Sequence, residues 1–122
     1  MGWNFSTQQP IYQQIVDHIL MDVVSGRYAS GERMPSVRDL SMQAAVNPNT
    51  MQRAMAELES RGLVTTSRNS GRFVTEDKGV IKMARDEKAI EVARLFLQSM
   101  EALGYTRKEA LDFLETKELR GE

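Results

Sequence analysis

Near the middle of this chain two short apolar patterns of helical period stand almost end to end. The first puts Val37, Leu40 and Ala44 on one face. The second puts Met51, Ala54, Met55 and Leu58 at the i, i+3, i+4, i+7 spacing of a helix stripe. Only about two residues, Val46 and Asn47, separate the helices, so the two form a tight helix-turn-helix. Ser36, after Pro35, caps the first helix, and Asp39 three residues on makes an approximate capping box. Asn47-Pro48 starts the second helix, with an N-cap and then a proline whose missing N–H is no loss in a first turn. Arg61-Gly62 ends it with a cation and a glycine stop.

Helices this short need other elements to cover their apolar faces. Pro10 opens a longer pattern as its first helical residue, in which Ile11, Ile15, Ile19 and Val23 recur every four residues beside Tyr12, Val16 and Leu20. Ser25-Gly26 stops this helix, and Ser30-Gly31 marks a turn. Downstream, Leu63-Val64-Thr65-Thr66-Ser67 and Phe73-Val74-Thr75 flank the polar tip Arg68-Asn69-Ser70-Gly71-Arg72, which predicts a hairpin. Three helices and then a basic-tipped hairpin is the order of a winged helix-turn-helix.

The charged linker Glu76-Asp77-Lys78-Gly79 divides the chain into a winged-helix domain, 1–77, and a tail, 78–122. In the tail a long helix runs from Val80 to about Leu103 and is closed by Gly104. Thr106 and Glu109 form a capping box for a last helix whose apolar face is Ala110, Leu111, Phe113 and Leu114. The expected fold is mainly α with a small β-hairpin: a winged helix-turn-helix followed by a two-helix C-terminal tail. Ile90, Ala93, Phe96, Leu97 and Met100 on one tail helix, with Phe113 and Leu114 on the next, are more apolar surface than a lone helical hairpin hides. Two-fold pairing closes such a surface, so dimerisation is assigned to these residues.

Composition narrows the function classes. The 122 residues include no Cys and one His, which excludes disulfides, thiolate catalysis, zinc fingers, iron–sulfur clusters and any multi-histidine site made by one chain. There is no nucleophile–base pair and no catalytic carboxylate dyad, so neither an enzyme nor a cofactor is expected. With no long apolar run and no basic, apolar leader, the chain is expected to be soluble, cytoplasmic and free of the membrane. His18, between Ile15 and Ile19, is expected at the edge of the core, and the eight Met residues as core filler. Trp3 and Phe5, in an irregular N-terminal arm, either staple the first helix to its neighbours or pack across a dimer.

The net charge of −1 hides an uneven distribution. Residues 1–75 carry seven Arg and no Lys against six acids, while 76–122 carry five Lys and four Arg against eleven acids. Arg suits bidentate phosphate and guanine contacts, although so small a bias also arises by chance. With Met51, Met55 and Leu58 inward, the outer face of the third helix carries Asn49, Arg53, Ala56 and Ser60, flanked by Gln52. Small and amide-bearing side chains permit close approach to a groove and can read base edges. Any surface helix is polar outside, so this face alone does not select DNA.

Four stretches carry a more specific signal. They are Pro35-Ser36-Val37-Arg38-Asp39-Leu40, then Val46-Asn47-Pro48-Asn49-Thr50, then Ala54-Met55-Ala56-Glu57-Leu58 with Gly62-Leu63, and last Gly71-Arg72-Phe73-Val74. In this order the chain resembles the GntR family of bacterial transcription regulators over about residues 10–75. The Pro10-Ile11-Tyr12-Gln13-Gln14-Ile15 opening, the V-N-P-N-T variant and the short helical tail look like the family's YtrA type.

The resemblance implies a sequence-specific DNA-binding transcription regulator, a repressor, bound as a homodimer to a two-fold double-stranded DNA operator. It makes Arg38 a DNA contact, to phosphate with bases also within reach, and sets Thr50 against phosphate near a helix N-terminus beside Asn47. Pro48 stands where the family often has Arg, so base reading falls to Asn49, Gln52 and Arg53. At the wing, Asn69 replaces the first glycine of a G-x-G-x-F-V tip and tolerates the positive φ expected there. Arg68, Gly71 and Arg72 then enter the minor groove or track phosphates. The tail is too short for the effector domain of larger members, and a small-molecule effector between paired tail helices stays open. The alternative is a winged helix used as a protein-interaction or architectural module without an operator. It needs an acidic or apolar third helix, which Asn49, Gln52 and Arg53 disfavour.

Overall fold

The computed structural model describes residues 2–116 and Leu119; residues 117, 118 and 120–122, which end the expected tail, lie outside the described residues. The elements in order are α1 (Ile11–Val24), α2 (Val37–Ala44), α3 (Pro48–Ser60), β1 (Val64–Ser67), β2 (Gly71–Val74), α4 (Lys78–Ala102) and α5 (Arg107–Phe113). This is the mainly helical winged helix-turn-helix with a two-helix tail that the sequence predicts.

The helix ends follow local side-chain chemistry. Ser36 accepts a hydrogen bond from the Asp39 N–H at 3.0 Å, and Asn47 accepts one from the Asn49 N–H at 2.7 Å. Each supplies a partner to an N–H that a helix start leaves unsatisfied. Thr106 and Glu109 form the full reciprocal capping box. Pro10 is the cap residue of α1 rather than its first helical residue. Asp77, part of the charged linker in sequence, starts α4 by accepting from the N–H groups of Gly79 (2.9 Å) and Val80 (3.3 Å).

The α2–α3 turn holds one surprise. Ala45 has φ 58°, in the left-handed region that favours glycine. That conformation ends α2 and brings the Val46 N–H back to the Ser41 carbonyl at 3.1 Å.

Ile15, Ile19, Leu40, Met51, Met55 and Leu58 are fully buried and join α1, α2 and α3 into one core. Ile11, the first of the four-residue repeat, is exposed because α1 has barely begun to pack there. The hairpin pairs Val64 with Val74 and Ser67 with Gly71. A third extended segment, 31–34, lies along β2: Met34 N–H donates to the Arg72 carbonyl and Val74 N–H to the Glu32 carbonyl, both at 2.8 Å. Sequence periodicity misses this segment because four residues around a turn carry no period.

The arm is settled by ring contact. Trp3 stacks on His18 with centroids 3.8 Å apart and planes 6° from parallel, and Phe5 packs beside it. Gln14 ties the arm further, accepting from the Ser6 N–H and donating to the Ser6 and Gln9 carbonyls. Trp3 and Phe5 therefore staple α1.

The chain forms two compact units that divide between Ala84 and Arg85, inside α4. The first includes the opening turns of α4, because Ile81 is buried in the winged-helix core and Val80 and Ala84 pack on it. The second consists of the rest of α4 with α5, where Ala110 is buried and Tyr105 meets Phe113 edge-on at 5.1 Å.

Candidate nucleic-acid interface

Helix α3 separates its two faces completely. Met51, Ala54, Met55 and Leu58 have no exposure, whereas Asn49, Gln52, Arg53, Ala56 and Ser60 are exposed. Thr50 is half-buried in the first turn. Asn47 uses its side-chain oxygen as the cap, and its amide NH2 is the donor it can offer to an outside acceptor such as a phosphate. The rim between α3 and the start of α1 is a shallow cleft of about 340 Å³ that includes Asn49, Thr50 and Tyr12. Over it the Arg53 guanidinium sits 3.7 Å from the Tyr12 ring centroid.

Arg38 is exposed in the first turn of α2 and makes no ion pair among the described residues. The neighbouring carboxylate of Glu32 is occupied, accepting from the Ala29 N–H at 2.8 Å.

The wing differs from expectation in two respects. Asn69 does not adopt a positive φ; Gly71 does, at 94°, so the glycine makes the turn. Arg72, expected to face DNA, is instead ion-paired to Glu59 near the end of α3 (Nε–Oε1 3.4 Å), with its side chain 21% exposed. The Thr66 hydroxyl donates to the same carboxylate. That bond, the largest effect, together with Arg72 outweighs desolvation and holds the Glu59 carboxyl below its ordinary value. Glu59 thus fastens the hairpin to α3. Arg68 and Asn69 remain exposed at the tip.

Two residues at this surface are not legible from sequence. Tyr12 reads there only as part of an apolar stripe, and its stacking on Arg53 depends on how α1 crosses α3. Arg33 reads only as a residue beside a turn; it lies in the extended segment along β2, near Gly71. Its charge beside Pro35-Ser36 is a signal, but the pairing that brings it to the wing is tertiary.

In the second unit Ile90, Ala93, Phe113 and Leu114 are exposed, and Phe96, Leu97 and Met100 are half-buried. Val92 (59% exposed) and Leu95 (55%) add apolar surface outside the expected stripe, so the apolar side chains of α4 are not confined to one face. Among the described residues no three acidic, His or Cys side chains converge as metal donors, and no helix is long and apolar enough to cross a membrane.

The family model described as "Bacterial regulatory proteins, gntR family" matches residues 11–74. The uncharacterized HTH-type transcriptional regulator YhcF of Bacillus subtilis (strain 168) is 38% identical over 116 residues, covering 95% of this chain and 96% of that protein. The HTH-type transcriptional repressor YtrA of the same organism is 37% identical over 68 residues, 56% of this chain and 52% of that protein. Among solved structures, a GntR family transcriptional regulator from Listeria monocytogenes superposes with a TM-score of 0.83 at 36% identity, over 91% of this chain and 97% of that one. The DNA-binding domain of AraR, solved in complex with operator ORX1, matches 62% of this chain and 90% of its own with a TM-score of 0.54 at 25% identity.

Proposed function

Because the chain belongs to the gntR family of bacterial regulatory proteins, and so is a transcriptional regulator with a DNA-binding helix-turn-helix rather than an enzyme, we propose that it is a repressor binding a two-fold operator as a homodimer. The observation that carries this reading is the exposed face of α3 with Asn49, Gln52 and Arg53, together with an exposed Arg38 on α2 that makes no ion pair among the described residues. Asn, Gln and Arg can reach base edges in a major groove, while Arg38 and Thr50 take the phosphate chain. The small Ala56 and Ser60 let the helix approach closely. Arg68 and Asn69 follow the backbone or the minor groove.

One winged helix covers one half-site, and a dimer reads two with a large gain in avidity. The apolar surface of the second unit supports pairing there, through Ile90, Ala93, Phe96, Leu97 and Met100 with Phe113 and Leu114. The repressor assignment follows the role of the relative YtrA, a transcriptional repressor. A repressor of bacterial genes works in the cytoplasm.

Selection of bound fragments from the source genome, followed by titration of a recovered fragment in a salt series, tests the proposal. With about 3–4 phosphates contacted per half-site, log K against log salt falls with a slope near −5 to −7 for a dimer. A flat salt response, or no fragment retained, rejects it.

A further inference from the structure

We propose that Arg33, rather than Arg72, is the cation with which the wing and the start of α2 hold a DNA phosphate chain; this rests on the DNA-binding reading above. Arg72 lies at the wing in sequence, but its Nε–H is paired with Glu59 and its side chain is mostly covered. A phosphate at Arg72 would compete with the carboxylate that fastens the hairpin to α3.

Arg33 has the opposite situation. Its side chain is exposed, and among the described residues it makes no ion pair. Its backbone is held by the bridge to Phe73 and by the neighbouring Met34 N–H on the Arg72 carbonyl. Its guanidinium lies against Gly71: a Cβ built on that glycine would be 3.5 Å from both Nε and Nη2. Those are ordinary contact distances; glycine is needed at 71 for its positive φ, and the Arg33 guanidinium rests on the turn that this glycine makes.

The surroundings fit a phosphodiester chain. A groove of about 550 Å³ runs between α2 and the hairpin, with Arg33, Arg68, Arg72, Ser36 and Ser67 among its walls and Asp39 on the α2 side. The Thr66 hydroxyl there is donated to Glu59, as the Arg72 Nε–H is, which leaves the Arg33 and Arg68 guanidinium groups and the Ser36 and Ser67 hydroxyls as donors of the types that proteins set against DNA phosphates. The groove is open to solvent, unlike the enclosed pocket a small-molecule ligand uses.

The test uses the full chain and a mixed-sequence DNA duplex, whose binding is dominated by phosphate contacts, followed by fluorescence anisotropy over a salt series. Arg33→Ala is expected to make the log K–log salt slope shallower by about 0.9 per protomer while leaving the melting temperature unchanged. Arg33→Lys, which keeps the charge, is expected to restore the slope. Arg72→Ala is expected to lower the melting temperature and leave the slope near that of the unaltered chain. An unchanged slope in a normally melting Arg33→Ala protein, or loss of slope in Arg72→Ala alone, overturns the assignment of Arg33. Failure of the unaltered chain to bind the duplex with any salt dependence overturns the DNA-binding reading, and this inference with it.

Discussion

The guanidinium carbon of Arg53 on α3 lies 3.7 Å from the centre of the Tyr12 ring on α1. Arg side chains lose considerable rotamer freedom when they bind, and a guanidinium already resting on a ring has given up part of that freedom beforehand. The contact also links the first turn of α1 to the outward face of α3, so the cation is aimed by two elements. Tyr12→Ala is expected to weaken binding to a selected genomic fragment two- to fivefold, from the loss of about 0.5–1 kcal/mol of cation–π interaction. Tyr12→Phe retains the ring and is expected to bind as the unaltered chain does. Equal weakening in both variants, measured by anisotropy, would point to the hydroxyl instead.

Asn49 and Gln52 are assigned to base reading and Arg38 to the backbone. Replacing Asn49 and Gln52 together by Ala is expected to flatten the difference between a selected fragment and a scrambled one, by about 1–3 kcal/mol for each bidentate hydrogen-bond pair removed. Arg38→Ala is expected to weaken both fragments alike, with a shallower salt slope. Competition titrations against the scrambled fragment separate the two behaviours. A double variant with its preference intact would rule out this face of α3.

The Glu59 carboxylate has a definite pH signature. Its folded-state pKa is depressed below 4.5, by the Thr66 hydroxyl first and Arg72 second. A depressed carboxylate stabilises the fold above its unfolded pKa, and that contribution disappears as pH falls through the folded value. Glu59→Gln is therefore expected to melt below the unaltered chain at pH 7, and the gap is expected to close as pH falls below 4.5 and on through the depressed value. Thermal melts across that range check it; a gap independent of pH would mean the charge is irrelevant.

Ala45 holds backbone strain in the α2–α3 turn. The left-handed conformation costs a residue with a Cβ about 1–2 kcal/mol, while glycine adds roughly 0.4–1 kcal/mol of chain entropy to the unfolded state. The difference favours Ala45→Gly by roughly 1 kcal/mol. Denaturant unfolding is expected to show a higher midpoint with the same slope. A lower midpoint would show that the Ala45 methyl group contributes more by packing than its backbone strain removes.

The winged-helix unit extends into α4, and this fixes where the tail can be cut. Ile81 is buried in the winged-helix core, so a chain cut after Thr75 loses a core side chain worth about 1.5–3 kcal/mol of burial. Truncation after Ala84 retains it and is expected to give a folded monomer with operator affinity lower by orders of magnitude. Phe96→Glu in the full chain is expected to do the same by placing an unpaired charge in the pairing surface. Sedimentation of all three proteins at micromolar concentration decides the matter. A full-length monomer that binds an operator tightly would contradict the role given to residues 85–114.

What could be read directly from the sequence was local. The Ser36, Asn47 and Thr106 caps, the buried stripe of α3 and the hairpin order all depend on residues a few positions apart, where backbone geometry alone brings side chains together. His18 at the core edge follows from its place in the α1 stripe in the same way.

What the sequence left undecided was which partner each long charged or aromatic side chain takes. Arg72 meets Glu59 across the wing, Arg53 meets Tyr12 across two helices, Trp3 meets His18, and Arg33 comes to Gly71 through an extended segment of four residues. Side chains that long can reach several neighbours, and the packing of the elements, not spacing along the chain, selects one. By its own pattern the sequence determined which elements form and which faces they bury. Tertiary structure decided which arginines the fold keeps for itself and which it leaves to the surface, because an ion pair forms only where the backbone delivers both charges to one place.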